Sequence, residues 1–392
     1  MGAFGCLCLF GRHNRAHRSL KYMHGAKIDK PFALLVAVLV VCGGFIFASA
    51  VFGLLARGTT NMSSIVFNHA ALGIGAGLVA LLVASRIPHA IWRRFAPHLF
   101  ILALILTAAV FLPQIGIEHG GGRRWLNIAG FSLQPAEFLK TTSIIMAAAY
   151  FSTIRARVQT MRWGLGGLLF ILAGPIFILT AQPDIGTLGV IIVSVVAVFF
   201  AAGARIHHLL IIALIGIVAL ATLAYMRPYV LDRMEVFFNP SWAPQEEGYQ
   251  IRQSLIAIGS GGLLGRGFGQ SVQKFTYLPE PMGDSIFAII GEEFGLVGAV
   301  IFIGLFLALA LRGFWIATHA PDIFGGYLAV GISTYLVAEA FINVGAMLGL
   351  APLTGIPLTF ISQGGSAMLA SLGSAGILLG ISRRSRALKV LK

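Results

Sequence analysis

The chain has 392 residues, 57% of them apolar and only 11% charged, with a mean hydropathy of +0.88. That balance excludes an ordinary soluble domain, in which about a quarter of residues are charged, and it defines a polytopic membrane protein. The net charge of +14 falls mainly on one side of the membrane, so it reflects topology and contact with anionic headgroups rather than nucleic-acid binding.

Apolar runs able to cross about 30 Å of hydrocarbon fall at 32–56, 65–85, 98–116, 135–153, 163–181, 186–203, 208–226, 284–311, 323–347 and 352–381. They predict an all-α fold of about ten spans. One transmembrane domain, 32–382, is expected between a basic N-terminal tail, 1–31, and a basic C-terminal tail, 383–392. Ala48-Ser49-Ala50 resembles a signal-peptidase site, but the apolar run continues past it and the first helix is expected to stay uncleaved. A cytoplasmic N-terminus puts Arg12, Arg15, Arg18, Lys21, Lys27 and Lys30 inside, followed by Arg86, Arg93 and Arg94, then Arg155, Arg157 and Arg162, then Arg205, Arg312, Arg383, Arg384, Arg386, Lys389 and Lys392. Only Asp29 and Asp322 join them among the acids, and the even span count returns the C-terminus to the cytoplasm. Cys6, Cys8 and Cys42 lie in the tail and first span, so no disulfide framework is implied.

Two outer segments are long, 117–134 and 227–283, and long ordered loops are usually functional. In the second, the prolines of Phe-Phe-Asn-Pro-Ser-Trp-Ala-Pro forbid continued helix. Apolar spacing from Gly248 to Ile258 predicts a short interfacial helix. Gly-Ser-Gly-Gly-Leu-Leu-Gly-Arg-Gly-Phe-Gly-Gln, from Gly259, is too glycine-rich for a helix, so its backbone should bend closely around something. A phosphate-binding loop is excluded because the strand, the helix and the Lys-Ser/Thr ending are missing. The loop ends on Asp284, a carboxylate at the mouth of the next apolar helix. A charge placed there is costly to desolvate and reads as functional. The structural alternative is a cap for the following helix.

Six blocks then carry a family resemblance: Gly121-Gly-Arg-Arg-Trp-Leu-Asn127 with Leu133-Gln-Pro-Ala-Glu-Phe-Leu-Lys140, Ala181-Gln-Pro-Asp-Ile-Gly-Thr187, Gly248-Tyr-Gln-Ile-Arg-Gln-Ser254, Gly262-Leu-Leu-Gly-Arg-Gly-Phe-Gly269, the stretch Tyr277 to Gly295, and Leu353 to Ser366. In this order they resemble the SEDS proteins (shape, elongation, division and sporulation), of which FtsW and RodA are the best known, and overall likeness favours the FtsW branch. The resemblance implies peptidoglycan glycan polymerisation from lipid II in the bacterial cytoplasmic membrane, beside a class B penicillin-binding protein. An older proposal for the family is lipid II flipping. The chain departs from the family pattern at Met282-Gly283, where His-Thr is usual, and at Ser285, Gln363 and Ala367, where Phe, Tyr and Ser are common.

Extending a glycan from a lipid-diphosphate sugar needs a base for the acceptor hydroxyl and cationic or hydrogen-bonding groups for the departing diphosphate. By resemblance, Asp284 matches the essential acid. Arg123, Arg124 and Lys140 are cationic candidates on the outer side, and Arg252, Arg266 and Lys274 form a second set on the large loop. Lys140 lies three residues after Glu137, so the two share a helix face and either help bind substrate or simply pair. Asp184 reads most simply as a turn and cap residue, and Glu292 and Glu293 as interhelical hydrogen-bonding groups. A divalent cation, Mg2+ or Mn2+, could assist at the diphosphate, but no metal-ligand spacing demands one. Two other classes remain open. A flippase would need polar residues threading several spans, and a non-catalytic scaffold would tolerate loss of Asp284.

Overall fold

The computed structural model describes residues 28–56, 62–119, 122–128, 131–239 and 247–390. The tail up to Lys27 with Cys6 and Cys8, Trp242 and Glu246 in the large loop, and Lys392 lie outside the described residues.

The first rod, α1 (Lys30–Ala56), begins where the Asp29 carboxylate accepts the Phe32 amide at 3.0 Å. The second is not uniform: α2 (Met62–Phe67) and α3 (Ala76–Arg86) are joined by a π-helical stretch, Asn68–Gly75, in which His69 stacks on Phe47 at 3.9 Å. The third, α4 (His89–Ala108), starts nine residues before the apolar run at 98. Its first turns carry His89, Arg93 and Arg94, which are compatible with helix but invisible to a hydropathy threshold. The outer segment that follows folds as an antiparallel sheet of β1 (Gly116–His119), β2 (Gly122–Ile128) and β3 (Phe131–Leu133).

Pro135 opens α5 (Pro135–Thr153), where a missing amide hydrogen costs nothing. After a π-helical turn, Met161–Leu165, comes α6 (Gly166–Ala181), then α7 (Ile185–Ala201), capped by Asp184 accepting the Thr187 amide at 3.3 Å. The rod α8 (Ile206–Met226) is apolar beyond His207 and His208 in its first turn, and its 18-residue apolar window has no buried position. The long loop holds α9 (Pro228–Phe238), α10 (Glu247–Ser260) and α11 (Gln273–Thr276). The last rods are α12 (Ile286–Thr318), α13 (Ile323–Met347) and α14 (Gly365–Val390).

Eight of these rods are long and apolar enough to cross a membrane. Between them pack α5, which carries two charges, and the shorter α7, giving an all-α bundle around Phe151, Phe199, Phe306, Phe324 and Tyr335. One expectation changes. The run 352–381 is not one span: residues 352–364 are non-helical, because Pro352, Gly355 and Pro357 interrupt the helix, and α14 begins only at Gly365. The 248–258 helix forms as α10 and packs on α12 with Ile251, Ser254 and Ala257 fully buried, while Leu255 and Ile256 stay exposed.

The face remote from Asp284 is stitched by charge. Arg312 grips Asp29 with two bonds of 2.8 and 2.7 Å, His89 meets Asp322 at 3.3 Å, Arg384 donates to the Arg86 carbonyl at 3.0 Å, and Ser385 donates to that of His319. His89 and the Gly325 amide hold the Asp322 carboxyl below its ordinary range against the opposing effect of burial.

The glycine-rich stretch bends around a break in α12. Gly295 leaves the helical region with φ 65° and ψ −165°. The freed backbone is answered by the loop: Arg266 and Gly267 donate to the carbonyls of Glu292 and Glu293, each at 3.0 Å, while Leu296 and Val297 donate to those of Gly262 and Leu263 at 2.9 and 3.1 Å. Gly265, at φ 81°, is obligatory because a Cβ there would overlap the Glu293 carbonyl.

Candidate active site

The approach to Asp284 is short and rigid. Pro279 and Pro281 stop helix formation, and Glu280 turns the chain at φ 43° so that its carbonyl receives the amides of Gly283 at 3.0 Å and Ser285 at 3.3 Å. Three consecutive carbonyls are then clamped from other elements. That of Met282 accepts the Gln363 amide at 2.7 Å, that of Gly283 accepts the Ser362 hydroxyl at 2.6 Å, and that of Asp284 accepts the Asn343 side-chain amide at 2.7 Å. Asn343 also donates to the Ile356 carbonyl at 2.8 Å, tying α13 to the non-helical segment. Such clamping fixes the carboxylate on a preorganised backbone rather than a loose loop.

Asp284 is half-buried, and the residue at the α12 cap position is Ser285, so the helix-cap reading does not describe it. Its Oδ1 accepts a 3.0 Å bond from Gln250 of α10, and Oδ2 accepts from no other residue among those described. Burial pushes the carboxyl up to about 6. Glu280 adds to that rise, while the Gln250 hydrogen bond and the charge of Arg233 oppose it. A carboxyl raised in this way favours the fold below the ordinary carboxylate range and loses that contribution as pH rises through about 6. Asp284→Asn is therefore expected to melt higher than the wild type at pH 7.5 in a detergent thermal scan, with the gap closing as pH falls toward 4; an equal or lower melting temperature at pH 7.5 would contradict this.

The other candidates divide into surface and interior. Arg123 is exposed and pairs with Glu118 at 3.2 Å. Arg124 is turned across the sheet to the carbonyls of Gln182 and Pro183 at 3.3 and 2.5 Å, beside Asp184, which also receives Gln134 at 3.3 Å. Arg252 is half-buried on α10, and Arg266 is exposed with Glu292 at 3.7 Å. Glu137, Lys140 and Lys274, by contrast, are buried in the packed interior. Lys140 reaches Glu137 at 2.8 Å and, unforeseen, Glu339 of α13 at 2.7 Å, with the Tyr335 ring centre 5.0 Å away. Lys274 reaches Glu293 at 2.7 Å, Ser49 of α1 at 2.8 Å and the Gly269 carbonyl at 2.8 Å. Glu292 accepts from the Ser271 hydroxyl at 2.6 Å and the Val272 amide at 3.0 Å. In this structure these buried charges hold elements together.

Asn343 and Arg233 escaped sequence reasoning, and Gln250 and Ser362 stood out only as members of the 248–254 and 353–366 blocks, because neutral polar residues and single arginines carry no catalytic signal until the fold brings them near an acid. Glu339 did carry one: a lone acid inside an apolar run, for which a partner is required.

These features define a class: a multi-pass helical membrane protein with one preorganised, half-buried carboxylate at the end of a broken helix. The chain belongs to the FtsW/RodA/SpoVE family of cell cycle proteins, whose model matches residues 31–387. It is 39% identical over 312 residues to stage V sporulation protein E of Bacillus subtilis, covering 80% of this chain and 85% of that protein. It is 33% identical over 353 residues to the probable peptidoglycan glycosyltransferase FtsW of a Geobacter species, covering 90% and 96%. The fold matches the rod shape determining protein RodA of Thermus thermophilus with a TM-score of 0.67 at 24% identity, over 92% of this chain and 98% of that one. A chain from a peptidoglycan synthase complex gives 0.73 at 24% identity, over 91% and 98%.

Proposed function

We propose that this protein is a peptidoglycan glycosyltransferase that polymerises lipid II, with Asp284 as its base. The observation that carries the reading is the Asp284 carboxylate itself: clamped at its backbone and bonded at Oδ1, with no side-chain donor to Oδ2 among the described residues and burial raising it to about 6. A base with that value is ionised at neutral pH yet basic enough to accept a proton as it is displaced. Oδ2 takes the proton of the acceptor sugar hydroxyl as that oxygen bonds to the donor anomeric carbon. The bond from this carbon to the diphosphate breaks, and undecaprenyl diphosphate leaves with the electron pair. Attack opposite an axial leaving group inverts the α-linked donor to a β-linked glycan.

Arg123, Arg124, Arg252 and Arg266 supply cationic groups for the diphosphate, and the site faces the outside with both termini cytoplasmic. Among the described residues no group of three or more His, Cys, Asp or Glu is placed to hold a metal ion. Mg2+ or Mn2+ carried in on the diphosphate would screen its charge. A class B penicillin-binding protein that crosslinks the product is the expected partner, in line with the synthase complex whose chain shares this fold.

The test is polymerisation of purified lipid II by the protein co-purified with its penicillin-binding protein. Wild type should give polymer, and folded Asp284→Asn should lose at least about a hundredfold in rate, the usual weight of general base catalysis. Equal polymer from both would remove Asp284 from the mechanism. None from either would favour a flippase or a scaffold.

A further inference from the structure

Among the described residues the Asp284 carboxylate has one side-chain donor, and that donor is held in turn. Gln250 Nε2 sits 3.0 Å from Asp284 Oδ1 and 3.0 Å from Ser285 Oγ. An amide nitrogen carries two hydrogens and its oxygen carries none. Turned the other way, the Gln250 oxygen would face a carboxylate oxygen and repel it. Ser285 is fully buried, and its hydroxyl can accept the second amide hydrogen.

Resting on the assignment of Asp284 as base, we infer that Gln250, locked by Ser285, is a positioning residue that holds Oδ1 and presents Oδ2 to the acceptor hydroxyl. The geometry has two consequences. The fixed bond leaves one lone-pair face for the reaction, removing a rotational search about the carboxyl. It also stabilises the charged form against the burial that disfavours it, so that Asp284 is ionised at neutral pH. The charged groups that bear on the carboxyl are Glu280 in the same loop and Arg233 on α9. The contacts from α13 and from 352–364 are the neutral Asn343, Ser362 and Gln363, which bind the backbone. Gln250 is thus the group whose removal changes the carboxyl's basicity without changing net charge.

The experiment is a pH profile of lipid II polymerisation by the protein with its co-purified penicillin-binding protein, for wild type, Gln250→Leu and Ser285→Ala. The wild-type rate should fall on the acid side with a midpoint near 6. Gln250→Leu should move that midpoint up by about one unit, so that kcat is about fivefold lower at pH 6 and recovers most of the way by pH 8.5, with KM for lipid II unchanged within about twofold. Ser285→Ala should shift in the same direction by less. A loss equal at every pH, or no shift, overturns the inference. Should a variant not survive purification with its partner, the carboxylate infrared band of the remaining one, taken as a difference from its Asp284→Asn counterpart, reads the same midpoint without turnover. An active Asp284→Asn, or a wild type with no acid limb, would instead overturn the base assignment itself.

Discussion

Lys140→Met should leave little or no folded protein in the membrane. Lys140, Glu137 and Glu339 are each about 1% exposed, and the two carboxylates share the single ammonium at 2.8 and 2.7 Å. Removing the cation strands two acids in the bundle interior, and an uncompensated buried charge costs about 3–5 kcal/mol, a large part of a total of about 5–15 kcal/mol. Glu339→Gln should behave differently, because it leaves Lys140 and Glu137 as a balanced pair and an amide can still accept the Lys140 bond. Yield of monodisperse protein in detergent and its melting temperature test this. The expected order is wild type near Glu339→Gln, both well above Lys140→Met. A Lys140→Met protein of wild-type stability that merely fails to bind substrate would restore a direct contact role for the lysine.

The membrane class and most of the bundle were legible because hydrocarbon leaves little choice: a crossing segment must be helical and apolar for about 20 residues. Legibility failed where that rule does not reach. The helix that starts at His89 runs through polar residues before the apolar run begins at 98, so the apolar run underestimates it. At 352–364 the residues are apolar but the prolines and Gly355 forbid helix, and hydropathy overruled a turn signal that was present. Asp284 was legible as a charge at a junction. The bonds that define its chemistry were not, since Gln250 is 34 residues away and Asn343 59, and pairing at that separation is decided by the fold. The glycine-rich stretch was recognised as a close wrap, but what it wraps became clear only from the break at Gly295. That break exposes two carbonyls that the loop amides of Arg266 and Gly267 satisfy.

The same break makes Lys274→Met the second change of large effect. Lys274 is fully buried and joins α1, through Ser49, to Glu293 in the half-turn before Gly295, at 2.8 and 2.7 Å. Glu293 also accepts from the Ser49 hydroxyl at 2.6 Å, so the lysine, serine and glutamate form one knot across the first span, the loop and α12. Without the ammonium the carboxylate keeps hydrogen bonds but loses its counter-charge, a cost of about 3–5 kcal/mol. Because the nine residues from Ile286 to Phe294 lie between this knot and the Asp284 loop, the loss should reach the base through the shortened helix. Pairing the change with Glu293→Gln separates charge from packing: the double variant should recover about half or more of the lost stability, since residues in one ion pair couple by about 0.5–3 kcal/mol. Thermal unfolding of the four proteins in one detergent gives the cycle, and strictly additive losses would show that Lys274 serves the fold through its contacts with Ser49 and the Gly269 carbonyl instead of its charge.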